Sequence, residues 1–141
     1  MRAIGLFLAV LILFGCAQQQ KNEAPKELKD REITTIEFKE EMHSFGELSA
    51  GEIVVFTFEF TNTGATDYWI EEINSDCGCV KTNYKKEAVK PGKNGRIELE
   101  FDTSGLIGRE FKTIEIIGNS KELKHLAIFA EVKNEILDIK Y

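Results

Sequence analysis

Cysteine, histidine, proline and tryptophan are all scarce in this chain, and each shortage removes a class of explanation. Three Cys in 141 residues are too few for a disulfide-dense secreted scaffold. Two His, His43 and His125, both fall inside strand-like stretches, where a surface imidazole is the common case. No Gly-x-Ser-x-Gly elbow, His-Glu-x-x-His pair, phosphate-binding glycine loop or EF-hand loop occurs. Carboxylates are plentiful, yet Glu37, Glu40 and Glu41, or Glu98 and Glu100, sit at alternate or irregular strand positions. Such carboxylates read as solvated faces that also guard sheet edges, whereas paired-carboxylate catalysis needs a cleft. The net charge of −6 lacks the basic footprint that phosphate backbones and anionic lipid demand. No enzyme, no cofactor and no nucleic-acid partner is expected.

What is present begins with an address. Met1-Arg2 gives a short positive end, and Ile4–Phe14 is an apolar run interrupted by Gly5. A charged start, a short apolar stretch and a small residue before the cut describe a secretory signal peptide. The run is too short to cross a bilayer, which needs roughly 20 residues. Leu13-Phe14-Gly15-Cys16 resembles the bacterial lipobox, in which the Cys is acylated and becomes the first mature residue. Residues 1–15 are therefore expected to be a lipoprotein signal peptide, with Cys16 the lipidation site. The expected location is the cell envelope: lipid-anchored and extracytoplasmic, and the outer membrane if the source is Gram-negative. Removing the signal takes away Arg2 and no acid, so the mature chain is the more acidic. Membrane attachment must then come from acyl chains rather than charge. Residues 16–32 hold one large apolar side chain, Leu28, and cannot offset the ordering entropy of a packed segment. They are expected to form a flexible tether that reaches roughly 20–25 Å from the lipid surface.

From residue 33 to residue 141 a single domain is expected, and its apolar period is two. Val54, Phe56, Phe58 and Phe60 alternate with Val55, Thr57, Glu59 and Thr61, the pattern of a strand with one aromatic face turned to a core. Ile97, Leu99 and Phe101 alternate with Arg96, Glu98 and Glu100, and Leu126, Ile128, Ala130 and Val132 repeat the pattern near the end. Further strands are expected around Ile33–Phe38, Met42–Leu48, Tyr68–Ile73 and Phe111–Ile117. Turn signals separate them: Asn62-Thr63-Gly64, Pro91-Gly92, Asn94-Gly95, Ser104-Gly105 and Gly118-Asn119-Ser120. About seven short strands at regular spacing point to an all-β fold, an immunoglobulin-like antiparallel β-sandwich. Trp69 lies too near Cys77 for the Cys…Trp…Cys spacing of antibody domains.

Several of these elements come in a recognisable order. Phe45-Gly46-Glu47 precedes Phe58-Glu59-Phe60-Thr61-Asn62-Thr63-Gly64, and Ile73-Asn74-Ser75-Asp76-Cys77-Gly78-Cys79-Val80 follows. Pro91-Gly92, Phe101-Asp102-Thr103 and the stretch from Gly108 to Asn119 complete the series. Over about residues 36–132 the chain resembles the bacterial domain of unknown function family DUF1573. That resemblance implies an immunoglobulin-like sandwich akin to PapD-like and Hydin-type domains, and no assigned activity.

Cys77-Gly78-Cys79 is the constellation with chemical content. In a flat strand the two Cα atoms would lie about 6.5–7 Å apart, at the upper limit for a disulfide. Gly78 is expected to let the chain bend and bring them closer. Two thiols packed as small apolar groups, a redox-active or disulfide-like pair, and a soft-metal site all fit the residues, with His43 and His125 the available nitrogen donors. Two functions follow. The first is a lipid-anchored interaction or scaffold domain that binds an unidentified envelope protein. The second is a thiol-based redox or metal-handling protein centred on Cys77 and Cys79.

Overall fold

The computed structural model describes residues 32–134. The proposed signal peptide, Cys16 and all of the proposed tether except Glu32 lie outside the described residues.

Eight strands form two four-stranded sheets, and among the described residues there is no helix. They are β1 (Ile36–Phe38), β2 (Met42–Ser49), β3 (Ile53–Asn62), β4 (Ile70–Ser75), β5 (Val80–Tyr84), β6 (Asn94–Asp102), β7 (Gly108–Gly118) and β8 (Lys124–Lys133). One sheet runs β1-β3-β6-β5 and the other β2-β8-β7-β4. All pairings are antiparallel except β2 with β8. The chain changes sheet at every connection from β1 to β5 and again between β6 and β7, so both sheets draw on early and late sequence. The expected sandwich is present, with one strand more than expected.

Alternation explains the core. Phe58 and Phe60 of β3, Ile97, Leu99 and Phe101 of β6, Ile114 and Ile116 of β7, and Leu126, Ile128, Ala130 and Val132 of β8 are all buried. The period of two sends one face of each strand into the space between the sheets. Val54 and Phe56, on the same face of β3, are half-buried nearer the sandwich end. Burying one such side chain contributes about 1.5–3 kcal/mol, so these four strands supply most of the apolar driving force.

Two strands differ from the expectation. The segment expected as a strand from Tyr68 to Ile73 begins at Ile70, and Tyr68 instead makes an isolated bridge to Val89. β5 carries Lys81, Thr82 and Asn83 and has no apolar alternation. It is a strand because β6 offers it a ladder from Val80↔Phe101 to Tyr84↔Ile97.

Two buried asparagines hold the loops at one end. The Asn62 amide donates to the carbonyls of Thr66 and Val89, both at 2.8 Å, while its oxygen accepts from Thr34 Oγ1 at 2.9 Å and Gly64 N at 3.1 Å. Asn119 donates to the carbonyls of Glu32 at 2.7 Å and Asp67 at 2.8 Å, and accepts from Trp69 N at 2.7 Å. Every polar atom of both side chains is thus matched, which is what makes a buried amide tolerable.

Candidate functional site

Cys77 and Cys79 lie in the connection that carries the chain from β4 to β5, and they are joined in a disulfide with a Cα–Cα distance of 5.1 Å. The reading of the pair as two free, packed thiols is replaced by a cross-link. The connection is held by short-range bonds. Val80 N donates to the Cys77 carbonyl at 3.2 Å, Ser75 Oγ to the same carbonyl at 2.8 Å, and Asp102 N to the Cys79 carbonyl at 2.9 Å. Cys79 packs against the core. Gly78 does not take a positive φ, and a Cβ there would meet nothing within 4 Å. The turn therefore closes without the special freedom expected of that glycine.

This geometry offers little for thiol chemistry. The hydrogen bonds around the pair come from a serine and from backbone amides, not from the cation or imidazole that activates a thiolate. Among the described residues no three His, Cys, Asp or Glu side chains converge as metal ligands, and a closed disulfide leaves no thiolate to donate.

The histidines part company. His125 is exposed on β8, whereas His43 is half-buried and stacks on Phe56 with ring centroids 3.5 Å apart. Phe45, two residues on and so on the same strand face, follows His43 inward, edge-on to Phe56 and stacked against Phe101. The register shift between Ser44 and Gly46 then lets Leu48 turn inward as well. His43 thus belongs to an aromatic cluster, and its nearest acid is Glu40, with Nδ1 to Oε2 at 3.8 Å. The carboxylates Glu37, Glu40, Glu41 and Glu98 are exposed, as their strand positions suggest. Glu59 is held below its ordinary value by the hydrogen bond and charge of Lys39. These are surface ion pairs, worth little each.

At the other end of the sandwich lies a feature the strand pattern does not announce. Residues 85–93 arch from β5 back to β6 and enclose a pocket of about 360 Å³ with Phe60, Ile70, Ala88 and Val89 on its apolar side. Lys85, Lys90, Lys93 and Arg96 line it with Glu87. The arch is fixed by a turn in which Lys93 N donates to the Lys90 carbonyl at 3.0 Å and Gly92 takes φ 72°. Pro followed by Gly in that position suits a type II turn. Asn62 clamps it, with Gly92 N donating to the Asn62 carbonyl at 2.8 Å and Asn62 N to the Lys93 carbonyl at 3.0 Å. Gly95 matters for a different reason: a Cβ there would lie 2.1 Å from Phe60 Cζ, so only glycine lets the Phe60 ring lie across β6 and form the pocket wall. A signal was available in the sequence, since residues 85–96 hold Lys85, Lys86, Lys90, Lys93 and Arg96 against Glu87 alone.

The two-sheet sandwich, with β1 and β2 divided between the sheets, gives the chain an immunoglobulin-like fold. Within that class it belongs to the family DUF1573, described as a protein of unknown function, whose model matches residues 36–132. A protein of unknown function from Porphyromonas gingivalis W83 superimposes with a TM-score of 0.62 at 19% identity, over 72% of this chain and 48% of that one. A PapD-like domain of human CEP192 gives 0.55 at 12% identity, over 81% of this chain and 96% of that domain. The VesB protease of Vibrio cholerae gives 0.58 at 12% identity, over 69% of this chain but 32% of the protease. At such identities the likeness is one of fold. This chain spans about half of the Porphyromonas protein and a third of the protease. No curated protein matches.

Proposed function

We propose that this chain is a non-enzymatic interaction domain, anchored by acyl chains on Cys16 and working outside the cytoplasm against another envelope protein. The observation that carries the reading is how the polar side chains are used. Among the described residues, the buried amides Asn62 and Asn119 spend every donor and acceptor on holding loops. The two His and the Cys pair sit at positions that do not assemble a nucleophile with a base. What the sandwich leaves available is surface: the outer edges of β1, β2, β4 and β5, each paired with a strand on one side, and the loops at its ends. Unpaired edges and loops are where such folds recruit partners.

The test is chemical cross-linking in native membranes with the full chain as bait. A specific envelope protein should be recovered in reproducible stoichiometry, and Cys16→Ala should shift the chain from the detergent phase to the aqueous phase. Recovery of the chain alone refutes the interaction reading, and a Cys16→Ala chain that still partitions with detergent after residues 1–15 have been removed refutes the anchor.

A further inference from the structure

We propose that the pocket enclosed by residues 85–96 binds an acidic, extended segment of a partner protein, with its carboxylates on Lys85, Lys90, Lys93 and Arg96. The inference rests on the interaction reading above and specifies the partner's chemistry.

Charge is the first argument. The whole chain is acidic, at −6, yet four cations line the pocket against Glu87, Arg96 being shared with Glu59, which faces it across the β3–β6 ladder. Lysines elsewhere on the strands are matched: Lys39 sits on Glu59, Lys81 on Glu100 and Lys112 on Glu110. Lys85, Lys90 and Lys93 form no ion pair with any described residue. Like charges gathered round a concavity raise its positive potential and concentrate anions there. That field is local in an otherwise negative molecule, so it selects the orientation of a partner as well as its sign.

Size and composition narrow the anion. A volume of about 360 Å³ is far larger than a single phosphate. Three of the four cations are lysines, flexible point charges, rather than the arginine forks suited to bidentate phosphate recognition. Phe60, Ile70, Ala88 and Val89 form an apolar wall, which would waste the contact surface of an all-polar ion but suits an apolar side chain set between carboxylates. The backbone supplies the remaining feature. β5 pairs with β6 only as far as Tyr84↔Ile97, so on that side Asn94–Arg96 has no strand partner among the described residues. An extended peptide can run along this short open edge, its alternate side chains reaching the pocket and solvent.

The experiment is a fluorescence-anisotropy titration of the purified mature chain with a labelled twelve-residue peptide of alternating Glu and Phe. A peptide with Gln in place of Glu is the control. The acidic peptide should bind and the Gln peptide should not. Lys85→Gln/Lys90→Gln/Lys93→Gln should weaken binding at least about tenfold, because several desolvated charge contacts are removed together. Arg109→Gln/Lys133→Gln, on the opposite sheet, should change it less than about twofold, as expected for screened distant charges. Equal losses in the two variants would mean bulk charge alone and overturn the proposal. So would tighter binding of inorganic phosphate or glucuronate than of the peptide, which would make the ligand a free small anion. Cross-linking in membranes separates this failure from that of the broader reading. A triple variant that loses the peptide yet still captures the same partner sinks the pocket assignment and leaves the interaction domain standing. A wild-type chain that binds the peptide but captures no partner sinks the interaction reading.

Discussion

Replacing Tyr68 by Phe should leave the protein as stable as before or more stable at neutral pH, and should flatten its loss of stability in alkali. Tyr68 is fully buried, its ring edge-on to Phe60 with centroids 5.4 Å apart. Its hydroxyl is buried without a hydrogen-bond partner. Gly118 makes room for it, since a Cβ there would stand 2.7 Å from the Tyr68 oxygen. An unsatisfied buried hydroxyl costs about 1–3 kcal/mol, and the void left by one oxygen costs less than about 1 kcal/mol. The net change for Tyr68→Phe at pH 7 is therefore between zero and a gain of about 3 kcal/mol. Burial, reinforced by the charge of Glu71, pushes the phenol up to about 12 from an ordinary 10.0, while Ser120 opposes the shift without completing a hydrogen bond. The sign follows from proton counts. Above pH 10 the unfolded tyrosine gives up its proton while the folded one keeps it, so the folded state binds more protons and stability falls as pH rises from 10 to 12. A tenfold difference in proton affinity between the two states corresponds to about 1.4 kcal/mol, so wild type should lose up to roughly 1.4 kcal/mol by pH 11 through this residue alone. Urea midpoints of both proteins at pH 7 and pH 11 measure the difference, with lysine titration common to the two. A variant destabilised by more than about 1 kcal/mol at pH 7 would show that the hydroxyl has a partner. An alkaline loss equal to wild type would refute the burial argument.

Asn62→Ala should cost about 3 kcal/mol or more, because it strands several buried partners at once, and should raise hydrogen exchange at Gly92 and Lys93; a loss under about 1 kcal/mol would mean the arch holds itself. Cys77→Ser/Cys79→Ser should cost no more than about 2 kcal/mol in thermal or urea unfolding, since the chain-entropy relation gives about 1.6 kcal/mol for so small a ring; a larger loss would show that the cross-link does more than restrain the unfolded chain.

The sequence by itself determined the β-sandwich and most of its core. Period-two alternation is a local property, and Phe58, Phe60, Ile97, Leu99, Phe101 and the even positions from Leu126 to Val132 are buried as their spacing requires. The turn signals at Asn62-Thr63-Gly64 and Gly118-Asn119-Ser120 were legible as turns, but not as buried staples, because their bonds reach residues up to 87 positions away. Only the tertiary structure decided which face of β7 turns inward: Glu110 and Lys112 face the interior as a 2.7 Å ion pair while Phe111 is exposed, since Ile114 and Ile116 fix the register and the rest of the strand must follow it. It also decided that β5 is a strand, because a polar segment becomes one when a neighbouring edge offers its backbone a ladder. The Cys pair was visible as a motif, whereas its closure into a disulfide depends on how β4 hands the chain to β5. The cations of residues 85–96 were visible as charges. Their convergence on a pocket required Gly95 to admit the Phe60 ring and Asn62 to clamp the arch, contacts made across strands that no single segment of the sequence contains.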